Sequence, residues 1–316
     1  MSRPYNNPLQ LVHSLPRFYS GRLLFVDSTY GSNSYRGNNV TEPLRSITYA
    51  LTKCVDDHDD LIVVLNGYDN DNTDAETNGD DTPIDLDKNG TTILFSGRNN
   101  MCTPIASGDE MFKFSANQVT LGTLPGSAFF LKDATGATST AFAFQAAAVD
   151  CEVYGARTDD TLDGYDQVVT VSATSHKAHV HDCWLIGDTT DSDIGVSIEG
   201  TVAQLWVHDN VIKDCATGAS KGNIYSGSVH TMCRIEHNHV SCAEASKFGI
   251  NFTGNATGVI RYNTVYVNAD ANAVVNGNCE EYENYANDAY TTAGFIVPAA
   301  GSITSDVRLK TAIEYL

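Results

Sequence analysis

The chain has 316 residues, enough for one large or two ordinary domains, and 42% of them are hydrophobic, enough for a substantial core. Its 39 acidic against 19 basic residues give a formal charge of −20, which repels phosphate backbones and anionic bilayers and argues against nucleic acid or a membrane as partner. No run of 18 apolar residues occurs, so no helix in the sequence is of the length and character that spans a bilayer.

In chain order, the first stretch, MSRPYNNPLQLVHSLPRFYSG, is broken by Pro4, Pro8 and Pro16 and lacks the apolar run of a secretory signal. RLLFV then reads as a strand, and the Gly- and Asn-rich stretch after it reads as a loop. In TEPLRSITYAL, Thr41 is a capping residue, Pro43 falls in a first turn, and Leu44, Ile47 and Leu51 share one helical face; this predicts a helix near 42–54. DLIVVLNG (60–67) and TTILFSG (91–97) have the apolar, β-branched content of buried strands. Between them, Asp69 to Asp87 concentrates carboxylates. A solvated acidic loop is the main reading and a Ca2+ site the other, although no EF-hand spacing is present. Short strands separated by Gly, Asn, Asp, Ser and Thr follow, until VRLKTAIEYL fits either a helix or a strand. The eight cysteines form no CxxC pair and are expected to be reduced and buried.

The strands repeat. Triplets of the form Asn or Cys, any residue, then Val, Ile or Leu begin at Asn117 (NQV), Cys151, Cys183, Asn210, Asn238 and Asn263, at steps of 34, 32, 27, 28 and 25 residues. Before the last four lie AHVHD, LWVHD, RIEH and VIRY. An inward alternation follows: Ala178 and Val180, Leu205 and Val207, Cys233 and Ile235, Gly258 and Ile260. Past each bend, Leu185, Ile212, Val240 and Val265 return to the inside. Such a period describes one coil of a solenoid, with parallel strands about 4.8 Å apart and inward residues stacked in columns. Asparagine at a bend offers both an acceptor and a donor, so Asn117, Asn210, Asn238 and Asn263 are expected to form a hydrogen-bonded ladder, with Cys151 and Cys183 interrupting it. The predicted fold is all-β: a right-handed parallel β-helix over 21–290, with an N-terminal arm (1–20), a short capping helix and a C-terminal segment (291–316).

FVDSTYGSNSYRG, EPLRSITYAL, DLIVVLNG and the later coils together resemble the right-handed parallel β-helix, or pectate-lyase-like, superfamily. Asp27, Gly31, Gly37, Pro43 and Ile47 stand at the places of that family's opening strand, loop and capping helix. With its proline-rich arm the whole chain resembles short β-helix proteins of tailed bacteriophages. That resemblance implies a virion structural protein, a capsid decoration or spike-like component, made in the host cytoplasm without a signal peptide. It implies docking through the arm on another capsid or tail protein, and a homotrimer with the C-terminal segment at the interface. Enzymatic relatives cleave polysaccharides, so a tailspike lyase or hydrolase acting on host surface polysaccharide, or a carbohydrate-binding adhesin, is the alternative.

If Val180, Val207, Ile235 and Ile260 point inward, their neighbours point out. His179, Trp206, Arg234 and Val259 then stack in one column, and His181, His208, Glu236 and Arg261 in the next. Trp206 beside Arg234 suits a binding or subunit-contact face, and a covering loop is the other reading. Asp182 and Asp209 occupy equivalent turn positions and are the nearest approach to a carboxylate pair, yet solvated turns explain them equally well; no catalytic residue is assigned. The three histidines are metal-ligating types, but a flat array without a closing carboxylate predicts no metal and no cofactor.

Overall fold

The structure, a computed structural model, describes residues 20–70, 80, 82–103, 110–132, 139–158, 165–187, 194–213, 215, 221–242, 247–267, 273–275, 277–288 and 293–295. Residues 1–19 of the arm, 71–79 and 81 of the acidic stretch, and nearly all of 291–316 lie outside them, with the expectations that fall there.

The alternation of inward and outward residues folds as predicted, into a parallel β-solenoid. Its strands form three long sheets of ten, nine and eight strands, in which neighbours come from successive coils. The first sheet runs from Leu23–Val26 to Glu280–Tyr282, the second from Asn100–Cys102 to Ala293–Phe295, and the third from Ile84–Leu86 to Val274–Val275. All these pairings are parallel except the last, where Ala293–Phe295 runs antiparallel to Tyr285–Asp288. The architecture is consistent with a right-handed parallel β-helix, the hand favoured for parallel crossovers.

Inward columns hold the coils together. In the first sheet Ile62, Ile93, Leu121, Val153, Val180, Val207, Ile235 and Ile260 stand in register, all without solvent exposure. Leu185, Ile212, Val240 and Val265 do the same in the second. Burying each such side chain contributes roughly 1.5–3 kcal/mol, repeated once per coil. Aromatic rings fill the N-terminal half of the core: Phe114 stacks on Phe144 at 4.4 Å and Phe95 on Phe129 at 4.6 Å. All eight cysteines are free and buried, and burial pushes the thiols of Cys54 and Cys183 up to about 12.

The helix is shorter than predicted, Ile47–Leu51, and Ser46 rather than Thr41 caps it. Leu44 is the reason: it bridges to Val26 and exchanges backbone hydrogen bonds with Phe25 and Asp27, so the chain stays extended until Ser46. Leu44, Ile47 and Leu51 are nonetheless buried, as their spacing predicts. Asp80, from the acidic stretch, is buried at the helix start. Its carboxylate accepts from the amides of Ile47 and Thr48 at 2.7 Å each and from the Tyr68 hydroxyl at 2.6 Å.

The asparagine ladder exists with different members. Asn238 Oδ1 accepts from the Asn210 backbone and side-chain amides at 3.2 and 3.0 Å, and Asn263 Oδ1 accepts from both amides of Asn238 at 3.0 Å. Asn284 serves Asn263 likewise, extending the ladder one coil beyond the predicted triplets. Each amide also donates to the previous coil, Asn238 to Val207 O at 2.9 Å. Cys183 ends the ladder, its backbone amide donating to Asn210 Oδ1 at 3.0 Å. Cys151 and Asn117 do not belong to it. The registers Glu152↔His179 and His179↔Trp206 put Cys151 in line with Ala178 and Leu205, at the bend before the first sheet instead of the one after it. Asn117 is exposed at an earlier corner, where its side chain accepts from the Val149 amide at 2.9 Å.

Candidate functional site

Five consecutive strands of the first sheet carry the outward strip: Glu152–Tyr154, His179–His181, Trp206–His208, Cys233–Glu236 and Gly258–Arg261. Their register places Glu152, His179, Trp206, Arg234 and Val259 in one column, and Tyr154, His181, His208, Glu236 and Arg261 in the other. Stacked coils force these side chains together. His179 lies on Trp206 with ring centroids 4.7 Å apart, His181 on His208 at 4.9 Å, and Tyr154 on His181 at 5.0 Å.

Trp206 is half-buried rather than exposed, because His179 covers one side and the Arg234 guanidinium sits 4.4 Å from its ring centroid. The exposed tryptophan is Trp184, on the second sheet, 46% accessible. Glu236 faces outward yet is 3% exposed. Arg234 donates to it at 3.0 Å and Arg261 at 2.7 Å, and these two cations overcome the effect of burial and hold its carboxyl below the usual range.

Glu152, which the sequence reading passed over, organises the other end. Its Oε1 accepts from His179 Nδ1 at 3.1 Å and His181 Nε2 at 3.0 Å. Burial alone would raise this carboxyl; the two imidazole donors bring it down to about 2. His181 also donates from Nδ1 to Asp182 at 2.8 Å, and His208 from Nδ1 to Asp209 at 2.6 Å. Burial works against the His181 cation, but Glu152 and Asp182 prevail and raise its pKa. His208 is shifted down, first by burial and then by the neighbouring histidines, against the pull of Asp209. Asp182 and Asp209 sit at left-handed corners, each at φ 53°, so they orient histidines.

Glu152 and Glu236 are thus both held below the usual carboxylate range, Glu152 by two imidazole donors and Glu236 by two guanidinium groups, which disfavours either as the protonated general acid that a two-carboxylate hydrolysis needs. Another polar pair, Ser226 hydrogen-bonded to His230, is sealed in the core with no exposure at either residue, beyond reach of a substrate. Beside the strip, Thr120, Glu152, Lys177 and His179 line an open depression. No protein-family model matches the chain, and no curated protein matches it either.

Proposed function

We propose that this chain is a non-catalytic structural protein of a tailed-bacteriophage virion, a capsid decoration or spike-like component that docks through its N-terminal arm as a homotrimer. One observation supports the non-catalytic part: on the first-sheet face, Glu152 and Glu236 are each paired within the strip by histidine or arginine, so both carboxylates already have partners. A stiff acidic solenoid suits a projection into solvent, since its charge discourages adsorption to nucleic acid. The placement on a virion, and the pectate-lyase-like kinship, rest on the resemblance of the arm and opening coils. Cryo-EM of purified particles tests it. Three solenoids side by side, with their N-termini at the capsid or tail, are expected; release of reducing ends from host surface polysaccharide by the purified protein would overturn it.

Trp184 favours a second reading, a carbohydrate-binding adhesin. Its exposed ring on the second sheet, between Arg157 and Val211, has the flat apolar character that stacks on sugars. Glycan-array binding lost in Trp184→Ala would support that reading over a purely architectural role.

A further inference from the structure

We propose that His179, His181 and His208 form a binding site for one first-row divalent transition ion of the zinc class, with Glu152 as the closing carboxylate. The site does not depend on the virion reading, and it reverses the expectation of no metal. That expectation rested on a flat array without a closing carboxylate, and Glu152 supplies the carboxylate. One ring nitrogen from each histidine lies within 4.8 Å of the others. The Nε2 atoms of His179 and His208 face each other at 2.5 Å.

The orientation of the rings is the stronger argument. A metal-bound imidazole is typically held by a carboxylate on its other nitrogen, which fixes tautomer and direction. All three histidines have this arrangement. Nδ1 of His179 is held by Glu152 at 3.1 Å, Nδ1 of His181 by Asp182 at 2.8 Å, and Nδ1 of His208 by Asp209 at 2.6 Å. In each ring Nε2 is therefore the nitrogen that faces the site, and on His181 it must give up its hydrogen bond to Glu152 to become a ligand. Two point at one another, and the third, on His181, is 3.0 Å from Glu152 Oε1. Around a tetrahedral zinc, with bonds of about 2.0–2.1 Å, ligand nitrogens lie roughly 3.3 Å apart. The His181 and His208 rings, stacked face to face at 4.9 Å, must turn to bring the three to that spacing, and the ion then takes the place of the hydrogen bonds between His179 and His208 and between His181 and Glu152. Imidazole donors select zinc, nickel, cobalt or copper over calcium and magnesium.

Trp206, stacked on His179, supplies a local reporter. The full-length protein carrying Trp184→Phe has Trp206 as its single tryptophan. After chelator treatment, titration with Ni2+ is expected to quench its fluorescence at one equivalent, and calorimetry with Zn2+ to give the same stoichiometry. Mg2+ and Ca2+ are expected to do neither. His208→Gln and His181→Gln should each weaken Zn2+ at least tenfold. Asp209→Asn, which leaves all three ligands in place, should weaken it by about 10-fold through lost orientation. Circular dichroism confirms that each variant is folded, and a misfolded His208→Gln is replaced in the test by Asp209→Asn. Failure of Zn2+ to bind below millimolar concentration, or binding left unchanged in the folded variants, would overturn the site.

Discussion

At His230 the stability of the fold is tied to one proton. The ring is fully buried; its Nδ1 accepts from the Val202 amide at 3.3 Å and its Nε2 meets Ser226 Oγ, which admits only the neutral tautomer. Burial lowers its pKa from 6.5 to about 4, so the unfolded chain binds this proton more readily than the folded one. The stability it contributes is complete above pH 6.5 and is lost as the pH falls toward 4, by up to about 3 kcal/mol. Urea unfolding of His230→Asn is expected to show a flatter pH profile between those limits; an unchanged slope would mean that another group carries the acid transition. Met232 works in the opposite sense. It is 61% exposed at φ 59°, a left-handed corner that asparagine tolerates far better. Met232→Asn should stabilise the fold by about 0.5–1 kcal/mol, read as a higher urea midpoint at constant slope.

Elements show the same economy, since each coil reuses its corners. The strands at 179–181, 206–208 and 233–236 are flanked by left-handed residues at Lys177 and Asp182, Gln204 and Asp209, and Met232 and His237. The sequence hides these corners, because one backbone shape is filled by lysine, glutamine, methionine and histidine, whose types announce nothing. The inward columns were legible because alternation of period two survives any single substitution. The ladder was half legible: asparagine at Asn210, Asn238 and Asn263 repeats visibly, whereas Cys151 sits at the preceding corner of its coil and looks alike in the linear pattern. That slip also hid Glu152, since a coil aligned on the wrong corner leaves its glutamate out of the histidine column. Asn238 tests the ladder. Replacing it with alanine strips the amides of Asn210 and the Val207 carbonyl of their partner in a dry interior, where each unsatisfied group costs about 1–3 kcal/mol. Asn238→Ala is expected to destabilise by about 3 kcal/mol or more. Asn238→Asp should be worse at neutral pH, because an oxygen would then face Val207 O and Asn263 Oδ1, and should recover partly in acid.

Across the whole molecule, charge and shape act together. A formal charge of −20 on a stiff solenoid cannot spread out by local rearrangement, so repulsion among exposed carboxylates such as Asp56, Asp57 and Asp59 persists in the folded state. Salt relieves it: the screening length falls from about 30 Å at 0.01 M to about 10 Å at 0.1 M. Surface ion pairs such as Lys113 with Asp85 at 3.8 Å lose a little in return, but exposed pairs contribute at most about 1 kcal/mol each and are outnumbered. Raising NaCl from about 0.01 to 0.2 M should therefore stabilise the protein by on the order of 1 kcal/mol, a rise of roughly 2–4 °C in Tm. Calcium at matched ionic strength separates screening from binding at the acidic stretch. Asp80, its described buried carboxylate, is already engaged by two helix amides and a tyrosine hydroxyl and is withdrawn from any ion cage. Ca2+ is accordingly expected to raise Tm no further than NaCl of equal ionic strength, and a larger rise, saturating below millimolar Ca2+, would assign residues 69–87 to calcium after all.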